Sequence, residues 1–502
     1  MICVGIGRGR HRHVIAEHKF LAEQGVRLVE LRLDYIQGPV QVKRLLRDRP
    51  CPVIVTCRRA ADGGRWEQSE EARLLVLRTA IVEGAEYVDL EDDIAARVPR
   101  FGATKRIISH HDFHKTPTDL TGLHRRLSAL DADIVKIATM ANTPSDTLRI
   151  LEMMHGATIP TIGLCMGDIG TPSRVLAGRF GAPFTYATFN DERVLAPGQI
   201  GWRQMRDIYR YDSITSATKI YGVVADPVGH SLSPLVHNAA LAAAGIDAVY
   251  LPFRVPEEQI DAFIRTADRW PLAGLSVTIP HKQSVLALAP HQDELVRSIG
   301  AANTLAFRPD GIAAFNTDAT AAVESLRAAV MEDEALEEPT TKSGLGIRTA
   351  LILGAGGAAR AVAFGLRERN VEVTVAARTL DRAQAIAKEV GCKVLEWESR
   401  HRIPHDCIIN ATPVGMHPNV NDTPFPRSHL QAYMIVFDTV YNPENTLLIK
   451  EARSVGCRTV TGVDMFVRQA AHQFSIWHGS DAPESVMREA LKRATASAKV
   501  PD

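Results

Sequence analysis

The chain has 502 residues, 45% hydrophobic and 23% charged, with 58 basic against 58 acidic side chains and no formal net charge. This is a globular profile, long enough for about two to four domains. It gives no electrostatic reason to expect nucleic acid or an acidic membrane as partner, no apolar run is long enough to span a bilayer, and seven singly placed cysteines point to reduced thiols, a cytoplasmic protein and no metal site.

At the N terminus, "MICVGIG" is a short apolar run that meets charge at Arg8, so no signal peptide is expected. "RGRHRH" (8–13) reads as a solvated loop. Short β-branched runs then recur: "ICVGIG" (2–7), "LVELRLD" (28–34), "VIVTCR" (53–58), "YVDLE" (87–91), "RIISHHD" (106–112), "IVKIATM" (134–140), "TIGLCM" (161–166) and "TYATF" (185–189). Helical stretches such as "EEARLLVLRTAIVEGA" and "TPSDTLRILEMMHGA" fall between them. Strand and helix alternating at roughly 25-residue steps predict βα units on a parallel sheet. Eight such units match a (β/α)8 barrel.

In "LVELRLD", Glu30, Arg32 and Asp34 share one face, while Val29, Leu31 and Leu33 share the other. In a barrel the apolar face meets the helix ring and the polar face lines the interior. Arg58 and His111 fall at the C-terminal ends of their runs, where barrel active sites lie. Lys136 shares its face with Ile134 and Ala138, so it points inward among apolar neighbours. Desolvation and nearby guanidinium groups favour a neutral amine, and a neutral amine can attack a ketone to form a Schiff base. The other reading is a structural lysine paired with Glu30 or Glu91.

The segments "ELRLD", "TCRR", "SHHDFHKTP", "ADIVKIATMANTPSD" and "APGQI" together resemble type I 3-dehydroquinate dehydratase, over about residues 2–210. The resemblance implies that Lys136 is the Schiff-base lysine and His111 the general acid/base. His110 beside it faces the opposite way. Glu30, Arg32, Arg58, Arg174 and Gln199 fall on substrate-binding positions. The residue types suit the chemistry. An iminium is an electron sink for removal of an adjacent proton, histidine can take that proton and assist departure of hydroxide, and arginine forks bind a carboxylate. Two positions depart from the family. Asp62 stands where Glu is usual, with shorter reach, and Leu195 stands where Ser often precedes "APGQ".

"RQMRDIYRYDSITSATKI" (203–220) contains no Pro/Gly linker, which predicts a short join around Ser213 to Thr218 before a new strand, "KIYGVVAD". Further on, "AAVMEDEALEEPTTKSG" (328–344) reads as a helix end and an exposed connector. In residues 349–383 an apolar strand runs into Gly354-x-Gly356-x-x-Ala359, then a helix, then the strand "VEVTVAA". This is the context that a dinucleotide fingerprint requires. The turn Gly354, Ala355, Gly356, Gly357, Ala358 lets backbone N–H groups approach a pyrophosphate. The second strand ends in Ala377, Arg378 and Thr379, with Arg382 behind, where an NAD site has Asp or Glu. Guanidinium binds a 2′-phosphate, so NADP is the expected cofactor; the alternative is an ordinary solvated Arg378.

That turn, with "GVVADPVGHSLSPLVHNAAL", "GLSVTIPHK", "IGAANTL", "FNTDA", "IINATPVGM", "FDTVYNP" and "GVDMFVRQA", resembles shikimate dehydrogenase over roughly residues 219–490. The resemblance implies Lys282 and Asp318 as the catalytic pair. It implies Ser231, Ser233, Thr278, Asn303, Tyr441 and Gln469 as substrate contacts, and Gly462 near the nicotinamide. Ser276 stands where the family often has Asn, and Ala319 where it often has Gly. Without the resemblance, Lys282 reads as a surface lysine and Asp318 as an N-cap for the helix "ATAAVESLRAA".

The expected architecture is α/β: a (β/α)8 barrel over 1–212, a dehydrogenase substrate subdomain over 219–325, a Rossmann-type NADP subdomain over 345–465, and C-terminal helices over 466–495 returning to the substrate subdomain. The expected function is Schiff-base dehydration of 3-dehydroquinate to 3-dehydroshikimate, then NADPH-dependent reduction to shikimate, with these small molecules as the partners. A quinate-sensing regulator built from non-catalytic copies of both domains is the alternative from another class. Retention of Lys136, His111, Lys282 and Asp318 argues against it. A class I aldolase is a further alternative for the first half, disfavoured by "HHDF" and "APGQI".

Overall fold

The computed structural model describes residues 1–229, 231–331 and 343–497. Most of the expected connector lies outside them: the helix Thr317–Met331 ends at its edge. The chain divides into two compact units, Met1–Ile220 with Pro227–Gly229 and Asp247–Pro271, and Tyr221–Asp226 with His230–Ile246 and Leu272–Asp502.

The first unit holds eight parallel strands: β1 (Ile2–Ile6), β2 (Leu28–Arg32), β3 (Val53–Thr56), β4 (Tyr87–Glu91), β5 (Lys105–Asp112), β6 (Ile134–Met140), β7 (Thr161–Met166) and β8 (Thr185–Ala187). Their order is β7-β6-β5-β4-β3-β2-β1-β8, a nearly closed barrel with no ladder between β7 and β8 among the described residues. Strand alternation sorts the interior into layers. Cys3, Leu28, Ile54, Ile107, Ile134, Ile162 and Phe184 form an apolar floor. Burying each large side chain there contributes about 1.5–3 kcal/mol. Two residues further along the same strands, Glu30, Thr56, Ser109 and Lys136 stand above the floor. Helices between the strands start where local chemistry allows. The helix Pro144–His155 opens with a capping box, Thr143 Oγ1 accepting from Asp146 N at 3.2 Å and Asp146 Oδ2 from Thr143 N at 2.9 Å.

A 3-10 turn, Tyr211–Ser213, precedes β9 (Lys219–Ala225). Next come β10 (Ala248–Arg254), which falls in the first unit, then β11 (Leu272–Val277), β12 (His291–Gln292), β13 (Thr304–Arg308) and β14 (Gly311–Phe315). In the second unit β11 pairs antiparallel with β13, β13 antiparallel with β14, and β12 parallel with β14. A separate six-stranded parallel sheet follows, from β15 (Thr349–Leu353), β16 (Glu372–Ala377), β17 (Lys393–Glu396), β18 (Cys407–Asn410), β19 (Ile435–Asp438) and β20 (Arg458–Val460). Its order, β17-β16-β15-β18-β19-β20, is the doubly wound dinucleotide arrangement. The helices Thr317–Met331 and Gly357–Arg367 share one apolar core with this sheet through Leu326, Val330, Val362 and Leu366. Among the described residues no helix is long and apolar enough to cross a membrane.

One local expectation is corrected. Asp318 is not the N-cap. Asn316 Oδ1 accepts from Asp318 N at 3.1 Å and Ala319 N at 3.3 Å, so Asn316 caps the helix. Asp318 falls in the first turn, which leaves its carboxylate for tertiary partners.

Candidate active sites

The barrel mouth gathers all eight expected dehydratase residues around one pocket: Glu30, Arg32, Arg58, Asp62, His111, Lys136, Arg174 and Gln199. Lys136 is 6% exposed. Its nearest carboxylate is neither of those expected. Asp89 Oδ2 lies 3.0 Å from Nζ and Glu30 Oε1 3.9 Å away, while Glu91 turns to Arg58 and Arg73 at 3.0 and 2.8 Å. Asp89 also accepts from Ser109 Oγ at 2.6 Å and pairs with Arg58 Nη2 at 2.9 Å. Burial opposes its ionisation, yet the Arg58 and Lys136 charges hold Asp89 well below the usual carboxylate range. Arg58 is thereby anchored from behind by two carboxylates.

His111 Nδ1 is enclosed, with no hydrogen-bond partner among the described residues, and the ring stacks on Phe113 with centroids 6.3 Å apart. Desolvation of the ring, then the Arg58 and Lys136 charges, push its pKa well below the ordinary imidazole range, so His111 is a neutral base. His110 is the other way round, with Nδ1 3.2 Å from Asp92 and no place in the pocket.

The arginines differ in what they have left to offer. Arg32 forks onto Asp34 at 2.9 and 2.8 Å. Arg174, 2% exposed, has no ion pair among the described residues; Nη2 donates to Pro197 O at 3.1 Å, and burial pushes its pKa down to about 10. An uncompensated buried guanidinium is the strongest anion site at this mouth. Gln199 Oε1 accepts from Leu195 N at 2.8 Å and Ala196 N at 3.2 Å, which shapes the loop that carries Leu195. Leu195 fits because Gly5 and Gly7 stand opposite; a Cβ on either would come within 2.5 or 2.7 Å of its methyl carbons. Asp62 is tied to Arg59.

The second unit gathers Ser231, Ser233, Thr278, Lys282, Asn303, Asp318, Tyr441, Gly462 and Gln469 around another pocket, with Ala358 of the glycine turn. Lys282 Nζ is 2.5 Å from Asp318 Oδ2. Asn303 Nδ2 donates to Asp318 Oδ1 and Thr317 Oγ1, each at 2.9 Å, and its Oδ1 accepts from Thr317 N at 2.9 Å and Thr304 Oγ1 at 2.8 Å. Sequence reading missed Gln473, one helical turn after Gln469. Its Nε2 donates to Asn303 O at 3.1 Å and its Oε1 accepts from Ser276 Oγ at 2.7 Å.

The glycine turn has the shape of an anion cradle. Gly354 has φ +117, and a Cβ there would lie 2.7 Å from Ala411 O. Gly356 caps the helix Gly357–Arg367 without a side chain, and the space where its Cβ would stand is open. First-turn N–H groups are thus available to phosphate oxygens. A Cβ on Gly357 would approach Lys282 Cδ to 3.0 Å, so the turn lies beside the lysine–aspartate pair. Arg378, Thr379 and Arg382 stand exposed at the end of β16 and the start of the next helix, outside the pocket. Neither arginine has an ion pair among the described residues, and no carboxylate ends β16. These residues fit a 2′-phosphorylated dinucleotide.

The folds and sites define a barrel lyase joined to a dinucleotide-dependent oxidoreductase. Residues 2–216 match the model of Type I 3-dehydroquinase, 223–305 the shikimate dehydrogenase substrate binding domain, 339–418 shikimate / quinate 5-dehydrogenase, and 462–492 the shikimate 5′-dehydrogenase C-terminal domain. A chloroplastic bifunctional 3-dehydroquinate dehydratase/shikimate dehydrogenase of Arabidopsis thaliana is 36% identical over 510 residues, covering 98% of this chain and 84% of that protein. The NADP(+) shikimate dehydrogenase of Methanopyrus kandleri is 40% identical over 294 residues, covering 56% of this chain and 97% of its own. A shikimate dehydrogenase solved in complex with NADP+ superposes with a TM-score of 0.51 at 34% identity, covering 56% of this chain and 97% of that one. The chain belongs to the family of bifunctional 3-dehydroquinate dehydratase/shikimate dehydrogenases.

Proposed function

We propose that residues 1–212 dehydrate 3-dehydroquinate to 3-dehydroshikimate and that residues 219–495 reduce this product to shikimate with NADPH. The reducing half divides into a substrate subdomain over 219–325, an NADP subdomain over 345–465, and returning helices over 466–495. The observation that carries the reading is that one chain holds two centres, Lys136 and His111 lining one barrel pocket and Lys282 on Asp318.

In the first centre Lys136 forms an imine with the substrate ketone, and Asp89 at 3.0 Å faces the positive nitrogen. The iminium acidifies the adjacent carbon; His111 takes that proton and then assists loss of hydroxide. Arg174 receives the substrate carboxylate, and Glu30, Arg32, Arg58, Asp62 and Gln199 complete the binding surface.

In the second centre Ser231, Ser233, Thr278, Asn303, Tyr441 and Gln469 enclose the substrate. NADPH supplies a hydride to the ketone when bound. Its pyrophosphate fits the turn Gly354, Ala355, Gly356, Gly357, Ala358, its 2′-phosphate fits Arg378, Thr379 and Arg382, and Gly462, packed closely on the backbone of Val440, lines the pocket near the nicotinamide. Lys282 gives the developing alkoxide a proton, and Asp318 orients Lys282. Seven unpaired cysteines support a reducing, cytoplasmic setting.

Two variants test the division of labour. Lys282→Ala given 3-dehydroquinate should accumulate 3-dehydroshikimate, and Lys136→Ala given 3-dehydroshikimate should still oxidise NADPH. Loss of both activities in either folded variant contradicts separate centres.

A further inference from the structure

Tyr186, on β8, is 3% exposed, and its ring packs against Phe184 with centroids 5.6 Å apart on the barrel floor. The same ring faces Lys136, whose Nζ is 4.1 Å from the ring centroid. The phenol oxygen is buried and has no hydrogen-bond partner among the described residues, although the side chain lines the dehydratase pocket. A buried hydroxyl without a partner is costly, so a position that only fills space favours phenylalanine, as at Phe184. Burial, then the Glu30 charge, push the phenol well above its ordinary range, so it remains a neutral donor.

We propose that Tyr186 is a catalytic residue of the dehydratase: its ring face holds the positive charge on Nζ as Lys136 becomes an iminium, and its hydroxyl donates a hydrogen bond to the oxygen leaving the substrate carbonyl carbon. This rests on the Schiff-base reading above. In that step one Lys136 ammonium proton passes to the carbonyl oxygen, which frees the Nζ lone pair to form the C–N bond as the carbonyl π pair moves to oxygen. A second Nζ proton then passes to the same oxygen, which leaves a lone pair on nitrogen. The C–O bond breaks with its pair on the departing water, and the nitrogen lone pair forms C=N. Charge is conserved at the ring face, and Tyr186 keeps its own proton. The aromatic face suits a cation that persists from ammonium to iminium, and a preplaced donor suits an oxygen that gains charge during attack.

Borohydride trapping separates the possibilities. Wild-type protein mixed with 3-dehydroquinate and borohydride should gain a reduced adduct on the peptide carrying Lys136. Tyr186→Phe keeps the ring and the floor; it should trap and dehydrate more slowly by about tenfold or more. Tyr186→Leu should be slower again. Reduction of 3-dehydroshikimate by the same variants, with NADPH, should be unchanged, and a wild-type melting transition and circular dichroism spectrum report that the barrel unit is folded. Tyr186→Phe trapping and turning over at wild-type rates overturns the hydroxyl's role, and Tyr186→Leu matching Tyr186→Phe overturns the ring's. Wild-type protein that forms no adduct contradicts the Schiff-base reading itself.

Discussion

Lys282 Nζ lies 2.5 Å from Asp318 Oδ2, so this lysine of the dehydrogenase pocket is held by a carboxylate only 7% exposed. The lysine can give a proton or a hydrogen bond to an alkoxide, and the aspartate fixes where it does so. Lys282→Ala and Asp318→Asn should each lower turnover by about 10²–10⁴-fold while weakening shikimate binding much less. NADPH titration should be little changed, because the glycine turn and Arg378 remain. Steady-state kinetics decide: unchanged turnover with only a raised KM makes Lys282 a binding residue.

Asn303 has every amide hydrogen-bond position occupied by Thr304, Thr317 and Asp318. Its influence on the reaction therefore runs largely through Asp318. Asn303→Ala should lower kcat more than it raises the KM for 3-dehydroshikimate. A raised KM with wild-type kcat would instead make Asn303 a direct contact alone.

Arg174 combines a buried charge with no ion pair among the described residues, a costly state that substrate relieves. Arg174→Met should raise the KM for 3-dehydroquinate strongly and raise the Tm of the ligand-free protein by a few degrees. A variant that melts earlier and binds normally assigns the guanidinium a structural task.

His111 must be neutral to accept a proton, and its pKa lies well below the ordinary value of 6.5. As pH falls, the base is lost only below that value. The acid limb of dehydratase kcat/KM should lie under pH 6.5 and vanish with the remaining activity in His111→Asn. An acid limb at or above 6.5 contradicts this assignment.

Asp62 keeps a carboxylate at the mouth but gives it to Arg59. Asp62→Glu should hold or modestly change dehydration, and Asp62→Ala should lower it several-fold. Wild-type kinetics for Asp62→Ala would make this carboxylate a bystander.

Much of this molecule is legible in its sequence because strand period and burial coincide. β6 and β7 occupy the runs "IVKIATM" and "TIGLCM" without adjustment, and their alternation places Lys136 inward. The fingerprint strand, turn and helix stand where apolar runs and glycines put them. The misses have physical reasons. Asp89 sits in "YVDLE" between Val88 and Leu90, and only tertiary geometry shows that it, rather than Glu30 or Glu91, reaches Lys136 first. Tyr186 lies in a three-residue strand, too short for its alternation to stand out. Asn316 and Asp318 are both capping types two positions apart, and the helix start selects Asn316. Gln473 follows Gln469 by one turn on the same helix face, a spacing that could have found it.

The central claim is that one chain performs both reactions in succession. Purified protein given 3-dehydroquinate and NADPH, with products identified by mass spectrometry and NMR, tests it most directly. The expected result is shikimate, formed with one NADPH oxidised for each molecule produced. Recovery of unchanged 3-dehydroquinate, or its direct reduction to quinate without loss of water, would contradict the account.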